Sequence, residues 1–143
     1  MNKDKKKAPK WYKWVFPILL IGGFPLVLIF SIKSESPGEA LYKIHCENCH
    51  MQDGKGLKSL IPPLANTTYL TTFRDQIPCI LRNGITGQIM VDGMDYNQPM
   101  PGNEQLSETD IANLINFIGN NWGNKTPFIT PDSVKYYLTN CPK

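Results

Sequence analysis

Charge is scarce in this chain: 19% of its 143 residues are Asp, Glu, Lys or Arg, and there are two histidines and four cysteines. So thin a charge excludes a disordered polyelectrolyte, and 41% hydrophobic residues leave enough apolar side chains for a core. No internal repeat occurs, and no low-complexity tract beyond a lysine-rich head, which excludes a solenoid. Apolar and polar residues nowhere alternate for more than a few positions. Ile89 to Met94 makes at most a small ribbon, and a domain built from sheets is excluded. Net positive charge is missing from most of the chain. Lys3, Lys5, Lys6, Lys7, Lys10 and Lys13 all precede residue 14, whereas residues 34–143 hold eight basic against eleven acidic side chains, about −3. A nucleic-acid partner therefore loses its electrostatic basis. The length leaves room for one modest domain and an appendage.

The appendage is N-terminal. Trp14 to Ile32 is 19 residues without a charge, and at about 1.5 Å per residue a helix of that length spans roughly 28 Å, close to a bilayer core. Its end, Phe30-Ser31-Ile32-Lys33-Ser34, offers no signal-peptide cleavage site, and no cysteine follows for lipidation. An uncleaved single-pass anchor over 14–32 is favoured over a buried core helix or a long signal sequence, with a kink from Pro17, Gly22, Gly23 and Pro25. The lysines of 1–13 hold the N-terminus in the cytoplasm, so the rest faces outward. In a bacterium that is the periplasmic side of the inner membrane, where disulfides survive.

After a linker at 33–37, Ser36, Pro37 and Glu39 supply an N-cap, a first-turn proline and a third-position glutamate, which predict a helix from Pro37 to about Cys46. Ser107 and Asp110 open another. Its stripe Ile111, Leu114, Ile115, Ile118 and Trp122 predicts an end near Trp122-Gly123. Tyr69 to Arg82 carries Pro78 and predicts one or two short helices, closed by Gly84 and Gly87. The domain is thus all-α with long loops. Such small helices leave too little apolar surface for an independent core, and a bound cofactor would supply it.

Cys46-Glu47-Asn48-Cys49-His50 carries that chemistry. C-x-x-C-H is the attachment signature of one covalently bound haem c: two thiols three apart reach both vinyl groups of a porphyrin, and the adjacent histidine is placed to ligate iron. A thioredoxin-like dithiol would need a βαβ context, and structural zinc a second ligand pair. For the sixth iron position Met100, between Pro99 and Pro101, is favoured, because proline holds a thioether on such a loop at little entropic cost. Met51 adjoins His50 and cannot cross to the other haem face. Met90 and Met94 suit core filling, with Met94 the reserve ligand, and His45 is expected to be solvated or capping.

These residues resemble the small monohaem class I cytochromes c over Gly38 to Gly123. Gly38-Glu39-Ala40-Leu41-Tyr42 resembles the family's N-terminal helix, with Leu114 and Phe117 as the packing partners that the resemblance implies. Asp53-Gly54-Lys55-Gly56 resembles the tight loop after the haem motif, although Met51 stands where a small residue is often found. Pro62-Pro63-Leu64 is similar to the proline loop, which implies that the Pro62 carbonyl accepts a hydrogen bond from His50. Tyr96 to Pro101 resembles the distal methionine loop. The implied fold is a cytochrome c-like three-helix haem wrap at 38–123, preceded by the transmembrane helix and followed by a tail at 124–143 that packs on it. Thr130-Pro131 starts a helix in that tail. Cys79 and Cys141 form a disulfide or remain two free buried thiols, alternatives that weigh evenly.

With His50 and Met100 both on the iron, no position is left for a substrate, and single-electron transfer is the expected function. Methionine ligation raises the potential. The expected partners are an upstream quinol-oxidising complex or dehydrogenase, a downstream terminal oxidase or reductase, and the lipid bilayer. Lys55 and Lys58 are surface lysines that could guide docking. A haem subunit docked permanently in a respiratory complex is the alternative, and a haem enzyme or gas sensor with an open iron site a third.

Overall fold

The computed structural model describes residues 34–142. The lysine-rich head and the expected anchor at 14–32 lie outside the described residues; among those described, no helix is long and apolar enough to cross a membrane.

Helix α1 (Pro37–His45) starts where Ser36 Oγ accepts from Glu39 N at 3.1 Å. It lies against α5 (Glu108–Ile118), and Gly38 permits the approach: a Cβ there would run into Asn113 O and Phe117 Cβ. One turn on, Tyr42 is buried with its ring centroid 5.5 Å from Phe117 and 4.9 Å from Trp122, and its hydroxyl donates to Met51 O at 2.6 Å. Aromatic burial at such spacing adds to the area term that holds the two helices together.

Helix α5 opens on a complete capping box between Ser107 and Asp110. It ends at Ile118, four residues before the expected Trp122. The amides of Asn120, Asn121 and Asn124 take the carbonyls of Asn116, Phe117 and Ile118 at 3.0, 2.7 and 2.9 Å, so side chains satisfy the last turn in place of further helix. Trp122 keeps its contact with Tyr42 and Phe117 from a loop, at a left-handed φ of 50°.

Between these helices lie α2 (Glu47–His50), α3 (Tyr69–Thr72) and α4 (Ile77–Asn83). Two antiparallel ribbons qualify the all-α expectation without replacing the helical frame. Strand β1 (Gly84–Ile85) pairs with β4 (Met100–Pro101), and β2 (Ile89–Val91) with β3 (Met94–Tyr96) through an Asp92-Gly93 turn whose two residues are left-handed. Asp92 ties that turn to the start of α3, its carboxylate accepting from Thr68 N at 3.1 Å and Thr68 Oγ1 at 2.7 Å. These bonds hold the Asp92 carboxyl below the usual carboxylate range.

The tail packs on the domain. Helix α6 (Pro131–Thr139) is capped by Thr130, and Ile129 and Val134 are buried against the core. Asn116 of α5 clamps the approach to it, donating to Ile129 O and accepting from Ile129 N, both at 2.9 Å. Cys79 of α4 and Cys141 form a disulfide with their Cα atoms 5.7 Å apart, so the structure takes the paired alternative.

Candidate functional site

The C-x-x-C-H residues sit where α1 breaks. Cys46 leaves helical geometry at φ −123°, and the short α2 carries Cys49 and His50 to one side of the break. Cys46 is buried and Cys49 exposed, and neither is in a disulfide. Burial, with the Cys49 thiol beside it, pushes the Cys46 thiol up to about 11.

His50 is 6% exposed. Its Nδ1 lies 3.1 Å from Pro62 O, so the tautomer that donates there leaves Nε2 with a lone pair for a metal. Burial lowers its pKa and the Pro62 bond opposes that shift. The loop that delivers Pro62 depends on Gly56, which has a φ of 64° and faces Ile61 O and Pro62 O so closely that a side chain would collide with both carbonyls. Gly56 N also donates to His50 O at 3.1 Å, fastening the loop to the histidine it serves.

On the other side of the chain's middle, Met100 is half-buried in β4, where it pairs with Ile85. Asn103 N donates to Leu81 O at 2.9 Å, a second tie between this loop and α4. The flanking prolines therefore act together with a backbone ribbon that sequence reasoning missed, because two residues per strand leave no periodic signal.

Cys46, Cys49, His50, Pro62 and Met100 all line one cleft, with about 950 Å³ between its walls including the open mouth. Leu70, Ile77, Leu81, Val91 and Ile118 make much of the lining, and among the described residues no Asp, Glu, Lys or Arg contributes to it. Among the described residues no three His, Cys, Asp or Glu side chains gather to hold a metal ion. Two thiols outside any disulfide, one imidazole nitrogen and a mostly aliphatic slot fit a flat metallated macrocycle.

The other candidates lie outside the cleft. Met90 and Met94 are 63% and 49% exposed on the β2–β3 ribbon, which corrects their expected role as core filling: Met90, opposite Asp95, is on the outward face, and Met94 stays open at the turn end although it shares the face of its buried neighbours Val91 and Tyr96. His45 is exposed and its Nδ1 lies 3.3 Å from Asn103 Nδ2. Lys55 pairs with Asp53 at 2.7 Å.

A family profile described as Cytochrome c matches residues 36–122. A cytochrome c-552 of Thermus thermophilus is 34% identical over 109 residues, 73% of this chain and 68% of that protein. The cytochrome c subunit of the quinone alcohol dehydrogenase of Gluconacetobacter polyoxogenes is 35% identical over 95 residues, which are 64% of this chain but 20% of that much longer subunit. The corresponding subunit of Gluconobacter oxydans is 33% identical over 94 residues.

Proposed function

The chain belongs to the cytochrome c family and carries electrons on one covalently bound haem c, and on that premise we propose a membrane-anchored carrier whose iron is held by His50 and Met100. The haem supplies a reversible one-electron change at its iron. Cys46 and Cys49 would hold it by thioethers. His50 would offer Nε2 to the iron while Pro62 O holds Nδ1–H, which fixes the ring and raises its basicity. Met100, clamped by the β1–β4 pair, would be the second protein ligand and would keep substrate from the metal. The observation that carries this reading is the cleft itself: it gathers a histidine with its second nitrogen engaged and a strand-held methionine, and among the described residues no Asp, Glu, Lys or Arg lines it. Among the described residues no carboxylate or lysine stands there as a general acid or base, which favours a carrier over a peroxidase-like enzyme.

The remaining parts of the proposal rest on sequence and on the relatives. Residues 14–32 anchor the carrier in a bacterial inner membrane with the lysine-rich head cytoplasmic and the haem domain periplasmic. Electrons arrive from a quinol-oxidising complex or a dehydrogenase and leave to a terminal oxidase or reductase. The relatives that are dehydrogenase subunits favour a dehydrogenase donor, and they also support a second reading in which the domain is a fixed subunit. Anaerobic redox titration of the purified protein tests the carrier: a single one-electron transition with no catalytic turnover of peroxide is expected. Extraction in mild detergent separates the two readings, since a fixed subunit comes out with its complex and a tethered shuttle alone.

A further inference from the structure

The wall behind the haem cleft contains polar atoms that the site does not use. Leu70, Ile77 and Ile118 present one side to the cleft and the other to a second, much smaller cavity, which Arg74 and Thr126 also line. Two atoms of these last residues, Arg74 Nε and Thr126 Oγ1, are buried without a hydrogen-bond partner among the described residues. Both residues are otherwise held. Arg74 Nη2 donates to Phe128 O at 3.1 Å and Pro127 O at 3.4 Å, and Thr126 N donates to Gly119 O at 2.8 Å. The guanidinium cannot turn towards another acceptor without giving up those carbonyls. A buried N–H and a buried hydroxyl left unpaired lose more than a made hydrogen bond gains, so the pair calls for a bridging group. The cavity gives the centre of a water molecule about 10 Å³, room for one.

The geometry points to one structural water here, accepting from Arg74 Nε–H and bridging to Thr126 Oγ1, which joins the α3–α4 turn to the loop after α5 directly behind the haem wall. Water fits better than a chloride ion. The other walls are mostly aliphatic and repay little of an anion's lost hydration, whereas a threonine hydroxyl serves a water as donor or acceptor. Such a water also supports Leu70, Ile77 and Ile118 on the side away from the cleft, where a gap would cost their dispersion contacts.

The test uses the full-length holoprotein. Nuclear Overhauser spectra should show a long-lived water close to both Arg74 Hε and the Thr126 methyl group. Thr126→Val, which keeps the shape and removes the hydroxyl, should abolish that signal and speed Arg74 Hε exchange roughly tenfold or more, and Thr126→Ser should restore protection. A crystal structure of wild-type holoprotein that resolves waters answers the same question without substitution, should Thr126→Val fail to fold. A direct bond from Arg74 Nε to a protein acceptor would overturn the proposal, as would a shift of Arg74 Hε when sulfate replaces chloride in the buffer.

Discussion

Breaking the Cys79–Cys141 disulfide should release the tail and leave the haem centre almost untouched. The bridge spans 62 residues, and chain-entropy arithmetic gives a loop of that length roughly 4 kcal/mol at most. With the proposed thioethers at Cys46 and Cys49 and the proposed iron ligands restricting the unfolded chain, the effective value would be smaller. What remains falls on α6 and the segment leading to it, otherwise held by the buried Ile129 and Val134, the packing of Tyr137 and Leu138 on the core, the Asn116 clamp, and Arg74 reaching Pro127 O and Phe128 O. Cys79 joins the tail to α4, and α4 also places Ile77, Ile80 and Leu81 along the cleft. The helix is nevertheless held from its other side by β1 and by α5, so it should stay when α6 loosens. For Cys141→Ser the expected result is faster amide exchange and easier proteolysis within 126–142, with the visible spectrum and α4 protection nearly unchanged. Equal loosening of α4, or a shifted Soret band, would refute the separation of tail from site. Two titratable thiols beyond Cys46 and Cys49 in native apoprotein would refute the disulfide itself.

Gly56→Ala should cost at least about 1–2 kcal/mol from the left-handed backbone alone, and more from the collision with Ile61 O and Pro62 O; chemical denaturation reads the loss, and the His50 Hδ1 resonance should move as its acceptor is displaced. Ser107→Ala should cost about 1 kcal/mol of stability at neutral pH through the lost cap. Because Ser107 holds the Asp110 carboxyl below the usual carboxylate range, that stabilisation is complete above the unfolded-state pKa of about 3.9 and fades as pH falls through the lower folded value. The gap between wild type and Ser107→Ala should therefore narrow in acid, and a gap that widens there would contradict the assignment.

How much of this was legible follows from how local each feature is. The starts of α1 and α5 are written in three or four adjacent residues, Ser36-Pro37 with Glu39 and Ser107 with Asp110, and the haem motif in five. The end of α5 was misplaced because Trp122 continues the apolar stripe although it reaches the core from a loop; the asparagines at 120, 121 and 124 are the signal that competes with it, since their amides cap carbonyls. The β1–β4 pair brings Gly84 beside Pro101, and neither segment is long enough to declare itself. The apolar character of Met90 and Met94 suits filling, but Met90 falls on the outward face of a two-stranded ribbon opposite Asp95, and Met94 stands at its turn end, where it stays exposed although it shares a face with Val91 and Tyr96. The Cys79–Cys141 pairing depends on where α6 lands, which spacing alone does not specify.

The central claim, a cytochrome c haem closed on both faces by His50 and Met100, is tested most directly by the near-infrared spectrum of the ferric holoprotein beside Met100→Ala. A weak sulfur-to-iron band in the wild type that disappears in Met100→Ala, with a water or an added ligand entering the open position, is the predicted result. Persistence of the band in Met100→Ala, or its absence from the wild type, would contradict the ligation and with it the closed, substrate-excluding carrier.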